Sequence, residues 1–189
     1  MRAPWSQTES LTFRVGRQEL AYGSSRLISA REAPNVRLSF DGVKAILQVG
    51  DWRVDAFAVK PVRTKTGVFD DDPDRHQSFW GLYAVTPISL LPGGYVDLYY
   101  LGLDRRDAHF DQGTADEQRN SVGTRLWGRK EGWDYNLEFV YQFGGFGSGD
   151  IRAWTAASEL GFTFANAPLK PRLGFKANMT SGDVIGMAI

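Results

Sequence analysis

The 189-residue sequence contains no cysteine, which excludes disulfide bonds, thiolate metal sites and cysteine nucleophiles within it. Neither charge is in excess, because 22 Lys and Arg residues offset 22 Asp and Glu residues. Without a global field to attract polyanions, we expect no nucleic-acid partner. No stretch approaches the roughly 18 consecutive apolar residues of a membrane-spanning helix. A β-barrel does not need such a run, because only alternate residues of its strands face lipid.

Helical periodicity is also absent, whereas residues typical of strands and tight turns are plentiful. Aromatic residues make up 13% of the sequence, and it contains 21 glycines. This composition, without Pro-rich repeats, favours strands and turns over disorder. We therefore expect an all-β fold.

The clearest pattern runs from residue 132 to residue 143. Large apolar side chains occupy every second position, namely Trp133, Tyr135, Leu137, Phe139, Tyr141 and Phe143. The positions between them carry Asp134, Asn136, Glu138 and Gln142, with Val140 as the exception. This alternation is typical of a β-strand with one apolar and one charged side.

The same alternation recurs along the chain and predicts about nine strands. Their ranges are 11–16, 38–49, 52–60, 78–86, 95–103, 121–129, 132–143, 154–163 and 172–180. The apolar parity changes near Asp41 and Gly42, which predicts a β-bulge there. Most of the strands approach the ~9–11 residues of a tilted transmembrane strand, whereas soluble strands usually stop at ~5–6. The pattern favours an antiparallel up-and-down transmembrane β-barrel.

The predicted connections alternate between long and short. Long loops are expected at 23–35, 61–77 and 104–119, and tight turns at 50–51 and 130–132. A shorter link is expected at 87–94, and a Gly-rich link at 144–149 precedes a short one at 166–169. Outer-membrane barrels show this asymmetry, because short turns face the periplasm and long loops face outward.

Three tryptophans lie next to the predicted tight turns. Trp52 and Trp133 follow such turns, and Trp127 precedes one. Amphipathic rings at strand ends are expected at the membrane–water interface. The alternative is that these are core tryptophans of a soluble sandwich.

Several features predict that the chain is part of a larger barrel. The first residues contain no apolar segment typical of a signal peptide, and the last residue is not aromatic. Bacterial single-chain barrels have even strand numbers, whereas we count an odd number. We therefore expect residues 1–189 to form one partial domain of a larger barrel. If one strand is misassigned, a closed barrel of about eight strands is the alternative.

Seven short stretches together resemble a known family. In chain order they are residues 14–23, 39–43, 97–102, 124–128, 134–138, 170–174 and 181–183. Their order and spacing resemble the alginate-export family of bacterial outer-membrane barrels, over about residues 11–183. The resemblance implies an outer-membrane protein in contact with lipid, a monomer when full length, which transports an anionic polysaccharide. The family's barrels are larger, so the resemblance implies that about nine strands form roughly half of a barrel of ~16–18 strands. Alginate, a polyuronate, passes through an Arg-rich lumen in that family.

The charged parity of the predicted strands is expected to line the lumen. The candidate cations are Arg14, Lys44, Arg53, Arg125, Arg172 and Lys176, and the candidate anions are Asp55, Asp97, Asp134, Glu138 and Glu159. A guanidinium pairs with a uronate carboxylate through two parallel hydrogen bonds and stays charged at every relevant pH. The alternative is that cations and carboxylates on neighbouring strands pair with each other and rigidify the wall.

No residue pattern predicts catalysis. His76 and His109 fall in predicted loops without a Ser/His/Asp arrangement or metal-ligand spacing. The run 70–74 is interpreted as a solvated acidic loop rather than a Ca²⁺ site, and the glycines of 144–149 as a turn. We expect no enzyme activity, no metal and no cofactor.

The sequence therefore predicts an outer-membrane, porin-like channel for a polar, anionic polysaccharide. Two alternatives stay open. One is a non-conducting structural or binding barrel, and the other is a soluble β-sandwich that binds carbohydrate. The channel and the barrel both require an outward apolar band about 25 Å tall, whereas the sandwich buries its apolar side chains between two sheets.

Overall fold

The computed structural model of the protein describes residues 2–6, 9–31, 36–68, 70–91, 93–111 and 113–182. Within these ranges, no helix is long and apolar enough to cross a membrane. The strands are β1 (Arg2–Ser6), β2 (Glu9–Gln18), β3 (Phe40–Val49), β4 (Trp52–Arg63), β5 (Asp72–Pro73), β6 (Gln77–Ile88), β7 (Gly94–Phe110), β8 (Gly113–Lys130), β9 (Trp133–Phe146), β10 (Gly149–Thr163) and β11 (Arg172–Thr180).

The strands form one antiparallel sheet in which chain neighbours are also spatial neighbours. The order is β1-β2-β3-β4-β6-β7-β8-β9-β10-β11, and the short β5 pairs with the end of β4. In the described part of the chain, β1 and β11 do not pair with each other, so the sheet is open. The predicted all-β, up-and-down architecture is confirmed, and an open sheet of this kind is a segment of a barrel.

Each strand predicted from the alternation is present, and β1 and β5 are additional. Both additional strands are short, with five and two residues. Pro4 and Pro73 lie in them, and proline cannot donate a ladder hydrogen bond. Elements this short carry too few positions for an alternation to be visible.

The predicted loop at 104–119 is wrong. β7 continues to Phe110 and β8 begins at Gly113, so this region is an extended hairpin. The register shifts between Arg105 and Ala108, where the hairpin has a bulge. His109 therefore lies in a strand rather than a loop. Residues 104–119 are mostly charged or polar, so no apolar alternation reveals the hairpin.

The predicted bulge at Asp41 and Gly42 is also wrong. The pairing of β3 with both β2 and β4 passes through these residues without a shift. Phe40 therefore lies on the same side of the sheet as Lys44, and it is 5% exposed. The parity changes in the sequence because an apolar residue occupies the charged side, where it is covered.

The two longest connections lie at the same end of the sheet. The other end, the short-turn end, has the turns at 50–51 and 131–132, the described turn residues 89–91 and 93, and the link at 164–171. The end opposite to it carries the described residues of the connections between β2 and β3 and between β4 and β6, together with the two-residue turn at 147–148 and the tip of the β7–β8 hairpin. The predicted tight turns at 50–51 and 130–132 are confirmed.

Cross-strand register separates two chemically different faces, because directly paired residues project to the same side. The apolar face contains the row Phe13, Ala45, Ala56, Leu82, Tyr100, Val122, Tyr141 and Trp154. The charged face contains the next row, Arg14, Lys44, Phe57, Gly81, Leu101, Ser121, Gln142 and Ala153.

Burial of the two faces is the reverse of that in a soluble protein. Leu82 and Phe139 on the apolar face are 52% and 47% exposed, whereas Asp55 and Asp97 on the charged face are 1% and 2% exposed. A β-sandwich buries its apolar face, so the sandwich alternative is wrong. This arrangement is typical of a barrel wall whose apolar side chains project outward and whose charged side chains project inward.

Candidate functional site

The charged face brings all the candidate lining residues to one side of the sheet. Direct cross-strand pairs connect them, such as Asp97 with Arg125 and Glu159 with Lys176. The full set is Arg14, Lys44, Arg53, Asp55, Asp97, Arg125, Asp134, Glu138, Glu159, Arg172 and Lys176. Alternation along each strand, together with the cross-strand pairing, places all of these side chains on the same face.

Asp55 is the centre of the first cluster on this face. Its carboxylate lies 2.8 Å from the Lys44 ammonium and accepts a hydrogen bond of 2.9 Å from Arg53. The Tyr22 hydroxyl donates a third hydrogen bond of 2.9 Å. Burial, followed by the nearby Asp55 charge, raises the pKa of the Tyr22 phenol, so it stays protonated and remains a donor.

Asp97 is the centre of the second cluster. It accepts hydrogen bonds from the Tyr83 hydroxyl at 2.6 Å, from Arg125 at 3.0 Å and from the Trp127 indole at 2.7 Å. Arg125 also donates to Asn136 at 2.7 Å. Trp127 therefore lies on the charged face, and the prediction that it sits at the membrane interface is wrong.

Trp52 and Trp133 differ from Trp127, because both lie on the apolar face. Their side chains are 45% and 57% exposed next to the turns at 50–51 and 131–132. This is the position predicted for interfacial rings. The prediction grouped all three tryptophans because it considered only their distance from the turns, and not the face of the sheet on which each side chain lies.

Glu138 connects the sheet to a segment that precedes β3. The carboxylate accepts hydrogen bonds from Tyr99 at 2.9 Å and from Ser24 at 2.7 Å, and Arg26 lies 3.3 Å away. Ser24 and Arg26 belong to residues 20–30, here called the covering segment. Its side chains bind to the charged face through ionic and polar contacts.

Apolar packing also holds the covering segment on the sheet. Leu20 and Ile28 are 1% and 4% exposed, and Tyr22 stacks on Tyr83 with ring centroids 4.7 Å apart. A backbone hydrogen bond of 3.2 Å from Tyr22 to Ile28 closes the segment into a compact turn. The buried cluster is Leu20, Ile28, Phe40, Phe57, Val59, Tyr83, Tyr99, Leu101 and Val140.

Sequence reasoning predicted a loop here but not its position against the sheet. A signal was present, because Phe57, Val59 and Val140 interrupt the charged parity with apolar residues. Leu20 and Ile28 are also apolar residues in a connection. Apolar side chains on both partners indicate contact between them, although residues 32–35 of this connection lie outside the described part.

A third group of charges lies toward the edge of the sheet and is open to water. Arg172 donates to Asp134 at 2.9 Å and lies 3.6 Å from Glu159. The side chains of Arg172 and Glu159 are 39% and 38% exposed. Arg14 and Lys176 are also exposed, and neither forms an ion pair within the described residues.

The β7–β8 hairpin adds a charged cluster that the sequence did not reveal. The side chain of Glu117 is fully buried and is paired with Arg105 and with Arg119, the latter at 2.7 Å. Arg119 also donates to Gln142 at 3.0 Å. A buried carboxylate held by two guanidiniums extends the rigid part of the wall beyond the predicted strand end.

The acidic run at 70–74 organises its own connection. The Lys65 amide donates to Asp71 at 2.8 Å, and Asp72 lies 3.3 Å from the Lys65 ammonium. Among the described residues, no three His, Asp or Glu side chains are arranged to hold a metal ion. Local hydrogen bonds and ion pairs therefore engage these carboxylates, although Asp72 Oδ1 accepts no hydrogen bond within the described residues.

Two adjoining cavities lie toward the short-turn end of the sheet. Their volumes are about 1180 and 550 Å³. Both are lined by Asp51, Pro87, Tyr95, Arg125 and Trp127. The shared residues mark the point at which the two spaces meet.

These features define the class of protein. An antiparallel up-and-down sheet with an exposed apolar face, a charged face on its other side and its two longest connections at one end is typical of the wall of a bacterial outer-membrane β-barrel. The chain belongs to the Alginate export family, whose model matches residues 5–186. The predicted family and outer-membrane location are thereby confirmed, and the family is one of transport proteins. Comparison with curated proteins and with solved structures gave no match.

Proposed function

We propose that the charged face lines an aqueous channel that passes an anionic, alginate-like polyuronate across the outer membrane. The observation that carries this proposal is that exposed, unneutralised cations lie on the face opposite the lipid-facing one. Within the described residues these are Arg129 near the short-turn end, and Arg14 and Lys176 at the two sides of the sheet. Positive side chains on a pore wall favour passage of anions.

The paired cations have a different role. Lys44 and Arg125 have side chains that are 9% and 12% exposed, and each is bound to a buried carboxylate. They hold neighbouring strands in register and are not free to bind a polymer. Arg53 is paired with Asp55 but its side chain is 53% exposed, so it can also reach a passing carboxylate.

The carboxylates on the same face keep the interaction weak. Conduction requires that a polymer enters favourably and also leaves, which is achieved by several weak sites. Asp134 and Glu159 share Arg172, so this guanidinium is already neutralised. The covering segment narrows the interior between the wall clusters. The protein transports without catalysis, as a monomer with its apolar face in lipid.

The test is planar-bilayer conductance of the full-length protein with polyuronate or a neutral polymer of equal length. Polyuronate should block the current at lower concentration than the neutral polymer. Replacing Arg14 and Lys176 by Gln should weaken the block by about two- to fivefold for each cation, as expected for exposed ion pairs.

The matched control is Arg152→Gln, which removes an exposed cation from the opposite parity of β10. Arg152 is 3.3 Å from Asp150 and its side chain is 69% exposed. The current through this variant should be blocked by each polymer at the same concentration as in the wild type. Equal block by both polymers contradicts the anionic substrate, and absence of conductance steps indicates a non-conducting barrel.

A further inference from the structure

We infer that Tyr95 and Trp127 form a stacking site for one sugar ring of the polymer, with Arg129 beside it for the ring's carboxylate. The inference rests on the proposed function and adds a specific site to it. Tyr95 in β7 and Trp127 in β8 are directly paired on the charged face. Their rings are stacked with centroids 4.6 Å apart and planes 16° apart.

Trp127 is fixed before any ligand arrives. Its indole donates to Asp97 at 2.7 Å, and the Arg125 guanidinium lies over its ring, 4.9 Å from the centroid. Asp97 is itself 2% exposed. A ring held by three contacts loses little conformational freedom on binding, and preorganisation of this kind increases affinity.

Tyr95 is the exposed member of the stack. It is 38% exposed, whereas Tyr83 and Tyr99 on the same face are 5% and 7% exposed. The covering segment buries those two tyrosines but does not reach Tyr95. An open aromatic surface at the meeting point of two cavities, on the side away from lipid, is suited to a ligand and not to core packing.

The chemistry of the position matches an acidic sugar. The face of an aromatic ring is electron-rich and attracts the C–H groups on the flat side of a pyranose. Arg129 lines the larger cavity, two residues from Trp127 on the same side of β8. It is exposed, and the carboxylate directly opposite it, Asp134, accepts a hydrogen bond of 2.9 Å from Arg172 rather than from Arg129. Stacking therefore selects a sugar ring, and Arg129 selects its carboxylate.

The site lies at the short-turn end, which is the periplasmic mouth in outer-membrane barrels. A stacking site there orients a chain end at the entrance of the interior. The charged clusters under the covering segment lie deeper along the same face. The polymer would then pass from an aromatic contact to a sequence of electrostatic contacts.

The test is calorimetric binding of two hexasaccharides to the full-length protein in detergent. One is a uronate hexamer and the other is its neutral, carboxyl-reduced form. Tyr95→Ala should weaken binding of both by about two- to tenfold, because it removes stacking. Tyr95→Phe keeps the ring and should bind as the wild type does. Arg129→Gln should weaken binding of the uronate alone.

Tyr141→Ala is the matched control. Tyr141 is 39% exposed and stacks on Phe143 with centroids 6.1 Å apart, but it lies on the apolar face. Its substitution should leave both affinities unchanged. Heat-modifiable migration on gels verifies that each variant is folded.

The outcomes separate this inference from the proposed function. If the wild type binds both hexamers equally and Tyr95→Ala weakens both, the stacking site stands and the anionic substrate does not. If Tyr95→Ala binds both hexamers as the wild type does, or the wild type binds neither, the stacking site is overturned.

Discussion

The charged face has a covered part, which lies under the covering segment, and an open part near the edge of the sheet. The charged side chains of the two parts differ in burial and in the number of hydrogen bonds they make. Under the covering segment, Asp55 and Asp97 are 1% and 2% exposed and each accepts several hydrogen bonds. Near the edge, Arg172 and Glu159 have side chains that are 39% and 38% exposed. The sequence pattern is the same in both parts, a charged residue at every second position.

The difference shows that the covering segment, and not the strands, determines whether the charged side chains are buried or exposed to water. Exclusion of water by Leu20 and Ile28 makes each buried carboxylate depend on its partners, because a desolvated unpaired charge is costly. Where no segment covers the sheet, water screens the pairs and they contribute little to stability. The covered part is therefore a structural support, and the open part is available to a ligand.

The largest effect expected is from Asp55→Asn. This change leaves Lys44 buried without a counter-charge, and removal of one partner of a buried pair costs about 3–5 kcal/mol. Urea titration of the protein in detergent, followed by tryptophan fluorescence, measures the free energy of unfolding. The matched control is Asp134→Asn, which loses a pair with the half-exposed Arg172 and should cost about 0–1 kcal/mol. Equal losses in the two variants would show that the covering segment does not desolvate Asp55.

A smaller effect is expected from Leu20→Ala in the covering segment. Leu20 is 1% exposed, and truncation of a buried leucine costs about 2–5 kcal/mol. Here the loss cannot exceed the free energy with which the covering segment packs on the sheet. The segment should detach locally before the sheet unfolds, and limited proteolysis within it should become faster. Leu27→Ala is the control, because Leu27 lies in the same segment and is 45% exposed. Unchanged proteolysis of Leu20→Ala would mean that the polar contacts to Glu138 hold the segment alone.

The strands and the sides of their residues could be predicted from the sequence, because both follow from local alternation. The pattern of Trp133 to Phe143 needs no tertiary information, and the structure has that strand as β9. The β7–β8 hairpin could not be predicted in the same way. Glu117 is stabilised by Arg105 and Arg119, and such pairing depends on a register that charged sequences do not reveal.

The candidate site was predictable as a set of positions but not as a set of partners. Asp97 and Arg125 could be placed on one face, but the sequence does not say that Trp127 joins them. Lys44 and Arg14 have the same parity and neighbouring strands, although only Lys44 is neutralised by a buried carboxylate. Lys44 is buried and Arg14 is exposed. The burial is provided by the covering segment, a connection without the alternation that would make it predictable.

The smallest substitution that should affect the covered and open parts differently is the replacement of a glycine by alanine, which adds a single methyl group. A Cβ on Gly123 would lie 2.2 Å from the Tyr99 ring, which is stacked parallel to Tyr83 and bonded to Glu138, so it cannot move aside. Gly123→Ala should therefore destabilise the protein by about 1–3 kcal/mol, the range for overpacking.

Gly174→Ala in the open part is the matched comparison, because its Cβ would meet the tip of the Arg172 side chain at 2.8 Å. That side chain is flexible and 39% exposed, so it can turn away, and the change in unfolding free energy should stay within about 0.5 kcal/mol. Urea titration of both variants in the same detergent gives the comparison. If Gly123→Ala were as mild as Gly174→Ala, the aromatic packing under the covering segment would have to be loose, and the distinction between a rigid support and an open binding surface would fail at its most sensitive point.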